Sequence, residues 1–367
     1  MAASVADGQR ILVPQDALQS LVAGIFAALG SPQEEARIVA SVLVEADLRG
    51  VESHGVGRVR LYVKDIRNGI VLPRTTVEVV KDSPSIAVME GNNGLGQVVA
   101  HRAMELCIRK ALASGCASVA VRGSNHYGIA GYYAMMALEH DLIGLSLTNS
   151  SPVTVPTHAS KAVIGSNPIA LAIPAGQERP YVLDMATSVV PLGKMEVMMR
   201  TGQEIPLGWG VDRAGKPTTD PAEAYWHGGL MPLGGTEEMR GYKGYGLSLA
   251  VDVFSAVLSG ACFASQIIPW QNVRTEAANL GHFFSAWRVD AFMSQSEFKT
   301  RMDELIQLMR QAPKAEGRER IYIPGEKEYE IAEQRQREGI PVHPEVAETL
   351  CEICAELGVD CRVLERA

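Results

Sequence analysis

Cys116-Ala-Ser-Val-Ala-Val-Arg-Gly-Ser-Asn-His-Tyr-Gly-Ile-Ala-Gly-Tyr-Tyr-Ala-Met-Met-Ala-Leu-Glu-His-Asp-Leu-Ile-Gly-Leu-Ser-Leu-Thr148 decides how this chain folds. Its first six residues, apolar apart from Ser118, read as a strand, 116–121. Gly123 to Gly128 is turn chemistry, and a helix is expected at about 130–140, followed by a strand at 143–148. The alternation continues on both sides. Two short strands are expected within 76–90 and a helix at about 97–114. Downstream come strands at 169–173 and 180–184, then a helix at about 189–200. Strands alternating with helices imply an α/β core, with helices laid against a sheet.

The flanks are more helical. Leu18, Leu21, Val22, Ile25, Phe26 and Leu29 recur at helical spacing over 14–29. Ser31-Pro-Gln-Glu34 reads as a helix start with Ser31 as N-cap and a capping box, and Gly50 as the left-handed stop. Another helix begins near Leu61 and ends at Asn68-Gly69. Residues 203–222 form a long polar loop, followed by a helix at 247–259, a strand at about 283–291 and a helix at 295–311. Residues 313–340 are rich in charge, and an amphipathic helix is expected at 345–357.

A length of 367 residues suits two or three folding units, and the net charge of −8 argues against general nucleic-acid binding. No basic run would follow a phosphate backbone. Met1 to Gly8 lacks the pattern of a secretory leader, and no apolar run approaches the ~20 residues of a membrane span, so a cytoplasmic protein is expected. Six cysteines in a chain this long do not make a disulfide framework. Cys351 and Cys354 share one apolar helix face, and no second pair completes a zinc site. No metal is expected.

Chemistry concentrates in Arg49-Gly-Val-Glu-Ser-His-Gly-Val-Gly-Arg58. Its three glycines describe a backbone that turns sharply and lets another group approach. His54 can pass a proton at neutral pH with Ser53 beside it, and Arg58 can grip a carboxylate with two parallel bonds. His126 lies just past a strand end, where α/β sheets place ligands, and is a second proton-transfer candidate. Asp184 ends a buried strand and needs a partner, for which a histidine is natural. The remaining histidines (101, 140, 158, 227, 282, 343) read as structural. Neither Gly91 to Gly96 nor Gly241 to Gly246 spells G-x-G-x-x-G, although Lys243 at a helix mouth could meet a phosphate.

These segments together carry a resemblance. Arg49 to Arg58, Ser124-Asn-His126, Thr148-Asn-Ser150, Gly165-Ser-Asn-Pro168, Leu183-Asp-Met-Ala-Thr187, Pro217-Thr-Thr-Asp-Pro221 and Gly241-Tyr-Lys-Gly-Tyr-Gly246 resemble, in order, motifs of the malate/L-lactate dehydrogenase family of the second, non-Rossmann type. That family includes ureidoglycolate, sulfolactate and diketogulonate oxidoreductases. The resemblance runs from about residue 12 to 357. It implies a non-Rossmann NAD(P)-binding α/β fold, with helical N- and C-terminal segments packed on a mixed α/β core. It implies hydride transfer between NAD or NADP and a small 2-oxo or 2-hydroxy acid, in a homodimer with the site where subunits meet.

The resemblance divides the chain into 1–120, carrying the substrate motif, 121–312, binding the cofactor, and 313–367, packing back on the first part. It implies His54 as acid/base, helped by Ser53 and held by Asp184, with His126 as the competing choice. Arg58 corresponds to the carboxylate clamp, and Ser166, where relatives often carry Thr, to a substrate contact. Ser150, Pro180, Tyr181, Val182, Leu183, Asp184, Met185, Ala186, Tyr242, Lys243, Gly325, Glu326 and Lys327 match cofactor-contacting positions. The identity of the acid and the choice between NAD and NADP stay open at this level.

Overall fold

The computed structural model describes residues 10–269 and 275–365. Met1 to Gly8, read above for a leader, lies outside the described residues. The chain begins with strand β1 (Ile11–Val13) and helices α1 (Gln15–Ala28), α2 (Gln33–Leu48) and α3 (Val59–Arg67). Strands β2 (Glu78–Asp82) and β3 (Ile86–Glu90) lead to α4 (Gly96–Ser114), β4 (Cys116–Ser124), α5 (Ala130–Met136) and β5 (Leu142–Thr148). Next come β6 (Ile169–Ile173), β7 (Tyr181–Met185) and α6 (Gly193–Thr201). Three two-residue strands, β8 (Gly210–Val211), β9 (Pro217–Thr218) and β10 (Gly229–Leu230), surround α7 (Pro221–Trp226). The remainder is α8 (Tyr242–Asp252), β11 (Leu280–Arg288), α9 (Gln295–Gln311), α10 (Glu326–Glu338), β12 (Ile340–Val342), α11 (Pro344–Leu357) and α12 (Arg362–Glu365).

The central sheet has seven strands in the order β2-β3-β4-β11-β5-β6-β7. Only β3 and β4 pair in parallel; every other neighbouring pair in it is antiparallel. The strand–helix–strand unit at 116–148 therefore does not close on itself. β11 runs between β4 and β5 and pairs antiparallel with both. This is a mixed α/β fold, distinct from a doubly wound parallel sheet.

Both faces of the sheet are covered. α4 and α5 bury one face around Met104, Tyr127, Tyr133 and Phe284. On the other, Val251 of α8 meets Ala120, Leu147 and Phe283. A separate core joins α1, α2 and α3 to the C-terminal helices through Leu18, Phe26, Leu43, Leu350 and Cys354. β1 pairs antiparallel with β12, tying the ends of the described chain together. Cys354 is buried in that core with Cys351 packed against it, which accounts for both thiols as apolar contacts. No helix among the described residues is long and apolar enough to cross a membrane.

Several local expectations change. Ser31 does not cap α2: Pro32 holds the N-cap position, and Ser31 Oγ is buried without a partner. Gly50 does take the left-handed conformation, at φ +80°. The helix expected at 247–259 starts at Tyr242, and its backbone widens to π geometry over Val253–Val257. The strand expected at 283–291 is Leu280–Arg288. The charged stretch 313–340 contains α10, which buries only Glu326 and Ala332 and so shows no apolar stripe.

At the middle of the sheet His282 is fully buried on β11, opposite Thr148 of β5. Its Nδ1 lies 2.7 Å from Thr148 Oγ1 and its Nε2 2.7 Å from Ser124 Oγ. His282→Ala is expected to lower unfolding stability by ~2–4 kcal/mol, from the cavity and the orphaned hydroxyls. Urea denaturation checks this; an unchanged midpoint would make the bridge dispensable.

Candidate active site

A cleft of about 620 Å³ opens beside the carboxyl end of β5. That volume falls in the ~300–1,000 Å³ range of small-molecule and cofactor sites. One wall carries Ser53, His54, His126, Thr148, Asn149 and Ser150. The other carries Val182 to Ala186, on and just past β7, and the segment Tyr322 to Gly325, with Lys327 and Glu328.

The two histidines that competed in the sequence meet here. His54 and His126 are stacked, with ring centroids 5.5 Å apart and planes inclined by 23°. His54 sits on a 3-10 turn, Glu52–His54, and its Nδ1 lies 2.9 Å from Ser53 Oγ. His126 Nδ1 lies 2.7 Å from the hydroxyl of Tyr62, a buried residue of α3. Burial raises the Tyr62 phenol far above its ordinary value, so it stays protonated. Where Tyr62 is the donor in this pair, the ring hydrogen of His126 sits on Nε2. If Ser53 Oγ instead accepts from Nδ1–H of His54, the Nε2 lone pair of His54 is left to act as a base.

Enclosure at the cleft wall, and then the charge of Arg58, hold His54 well below the usual imidazole range, at about 4. Arg58 does not line the cleft. Its Nε donates to Ser53 O at 2.6 Å, tying the guanidinium to the His54 turn.

The expected pairing of Asp184 with His54 does not form. Asp184 faces the cleft from β7, and its Oδ2 accepts the Gly131 N–H at 2.7 Å at the start of α5. His54 takes Ser53 instead, the group adjacent in its own turn. The surrounding protein raises the Asp184 carboxyl, against the effect of the Gly131 bond.

Other predicted positions divide. Ser150 and Ser166 both line the cleft, joined by a bond from Ser166 N to Ser150 Oγ at 3.1 Å. Val182, Leu183, Met185 and Ala186 line it; Pro180 and Tyr181 do not. Gly325 lies against β7, beside a bond from Val182 N to Pro324 O of 3.1 Å. Lys327 also lines the cleft, with Nζ 4.5 Å above the Tyr322 ring. Glu326 is turned away, buried between Arg310 and Arg320 at 2.7 and 2.6 Å, and it accepts the Ile323 N–H. It anchors the segment instead of lining the cleft. Tyr242 lies at a separate cavity of about 270 Å³ with His158 and Glu237, and exposed Lys243 lines neither. Among the described residues no group of histidine, cysteine or acidic side chains could hold a metal ion.

Tyr62 and His282 were missed. Tyr62 reads in sequence as one more residue of a short helix. His282 was set aside with the structural histidines, and its full burial pushes its imidazole down to about 3. It thus stays neutral beneath the cleft, stacked on Tyr127 at 4.5 Å.

Residues 13–351 match the family model described as malate/L-lactate dehydrogenase. The chain belongs to the malate/L-lactate dehydrogenase family. It is 45% identical to the malate dehydrogenase of Pyrococcus abyssi, over 96% of this chain and 97% of that one. It is 40% identical to the L-sulfolactate dehydrogenase of Methanocaldococcus jannaschii, over 95% and 98%. Its fold superposes on the malate dehydrogenase structure from Pyrococcus horikoshii with a TM-score of 0.89 at 43% identity, covering 97% and 98% of the two chains. The mixed sheet is thus a fold shared with a solved malate dehydrogenase.

His54 is expected to titrate near 4 by NMR, well below a free imidazole, and Arg58→Ala should raise that midpoint. A midpoint near the ordinary ~6.5 would remove the low-pKa assignment.

Proposed function

We propose that this chain is an NAD(P)-dependent oxidoreductase that interconverts a small 2-oxo acid and its 2-hydroxy acid, of the malate, lactate or sulfolactate kind. The observation that carries the reading is the His54–His126 stack, each ring fixed at Nδ1, inside a cleft of cofactor size. The names of the relatives support the same substrate class.

The residues of the second wall suit a dinucleotide. The side chains of Val182, Leu183, Met185 and Ala186 offer an apolar strip interrupted by Asp184, and Lys327 supplies a positive charge on the same wall. We place the cofactor along that wall, with Asp184 facing it. When bound, the nicotinamide supplies or accepts the hydride, leaving the protein to position, protonate and exclude water.

In the oxidising direction His54 Nε2 takes the proton of the substrate hydroxyl. In this tautomer Ser53 Oγ, 2.9 Å from Nδ1, accepts the Nδ1–H and so keeps Nε2 aimed. His126, with its hydrogen on Nε2, donates to the same oxygen and steadies the charge that develops there. The proton-transfer role is assigned to His54 because a Ser53 Oγ that accepts from its Nδ1–H leaves Nε2 free to take the proton. In reduction His54 returns the proton to the carbonyl oxygen, and the substrate carboxylate raises its proton affinity on binding. Arg58 does not reach the cleft wall, but its charge acts on His54 and so favours the substrate carboxylate at this end, with Ser166 and Ser150 as hydroxyls of the same cleft.

The reading includes a homodimer. Val253, Phe254, Val257 and Leu258, at the end of α8 and just beyond it, are exposed on the isolated chain. An apolar face of this kind marks an interaction surface. Sedimentation velocity should give a dimer for the wild type and a shift toward monomer for Val257→Lys/Leu258→Lys; a monomeric wild type would remove this part.

Mixing the protein with NADH or NADPH and a panel of 2-oxo acids should consume absorbance at the cofactor's ~340 nm band, a property of the reduced ring. His54→Ala should reduce turnover by about 10²–10⁴-fold while NAD(P)H still binds, as followed by its fluorescence. Full activity in that variant would move the acid/base role to His126. Turnover of a cyclic imine acid alone would change the substrate class.

A further inference from the structure

Beneath the turn that carries Ser53 and His54 lies a buried carboxylate with no part in the chemistry above. Asp47 ends the last full turn of α2 and is 6% exposed. Its Oδ2 accepts the Val56 N–H at 2.7 Å. A Cβ added at Gly55 would fall 1.9 Å from its Oδ1, so the carboxylate fills the space that a side chain at 55 would need. Val56 sits midway between His54 and Arg58, two residues from each.

The same turn is held from outside by Arg335 of α10. Its Nη1 bonds to the Asp47 carbonyl oxygen, and its Nη2 reaches Glu52 Oε1 at 2.7 Å. Arg10 takes that oxygen as well, at 3.0 Å. Backbone, carboxylate and two guanidinium groups thus converge on residues 47–56.

We propose that Asp47 is a positioning residue, whose carboxylate sets the placement of His54 relative to Arg58 through the Val56 N–H. This rests on the roles given to His54 and Arg58 above. Local helix formation does not account for Asp47. An acidic side chain in the last turn of a helix opposes the helix dipole. Burial works against it too, pushing the carboxyl up to about 7, with Val56 pulling the other way. What the carboxylate provides is a fixed acceptor for a buried N–H that would otherwise be unpaired. It does so in the middle of a segment whose side chains must hold their angles to within about 10–20°.

Gly55 supplies the test, because it allows the acceptor to be disturbed without being removed. Asp47→Ala deletes the carboxylate. Gly55→Ala leaves it in the chain but drives it from Val56. Both are expected to raise KM for the 2-oxo acid and to lower kcat about 10–100-fold, with KM for NAD(P)H within about twofold of wild type. The double variant should be no worse than Asp47→Ala alone, since the collision partner is gone. Asp47→Asn, which keeps an acceptor oxygen in place, should retain most of the activity and guards against a folding failure in the others. Hydrogen exchange of the amides in 50–58 should quicken in both single variants.

That exchange readout needs no turnover, so it tests the positioning even if no 2-oxo acid proves to be a substrate. Unchanged exchange in Asp47→Ala would overturn the proposal. So would a loss in kcat with both KM values unmoved, or losses that multiply in the double variant.

Discussion

The neutral imidazole of His282 holds together what the site needs. It is fully buried, so its charged form is excluded, and a neutral ring can offer one donor and one acceptor. Here one nitrogen faces Ser124 and the other Thr148. Those residues end β4 and β5, whose following loops carry His126 and Ser150. Without the strand between them, β4 and β5 would share no edge, and the two loops would have no common reference. The antiparallel insertion of β11 is therefore the constraint from which the geometry of one cleft wall follows.

The other wall is held by different means. Pro324 and Gly325 lie against β7 through a backbone bond, and Glu326 anchors their segment to Arg310 and Arg320. Such partly buried pairs, each backed by further hydrogen bonds, fix a loop better than exposed pairs do. The C-terminal chain then returns to the N-terminal helices through β12 and β1. A pocket wall from near residue 325 is thereby placed against one from near residue 54.

The fold class and the two histidines that meet in the cleft were legible because they rest on local signals. The apolar runs around 116–148 set the strands and helix, and the glycine-rich 49–58 segment drew attention to His54. What was not legible depends on contacts distant in sequence. Nothing in residues 280–288 says that they belong between β4 and β5. α10 stays hidden because a helix covered by ion pairs needs no apolar stripe. Asp184 was assigned to His54 by chemical affinity, yet Gly131 lies nearer across the fold. Ser31 had the right residue type for a cap, but the helix begins one step later. Tyr242 and Lys243 fitted a phosphate-binding turn by composition, whereas the start of α8 borders a different cavity.

The position of β11 also bears on how the molecule comes to exist. Thr148 and its partner His282 are 134 residues apart, and Ser124 is 158 residues from the same ring. Pairings of such separation form slowly, because the intervening loop must be closed before any contact rewards it. As the chain leaves the ribosome, β4 and β5 both wait with an open edge for a strand made long after them. This cleft wall is thus among the last parts to assemble, and the interval before β11 arrives is when this protein is most open to pairing with a wrong strand.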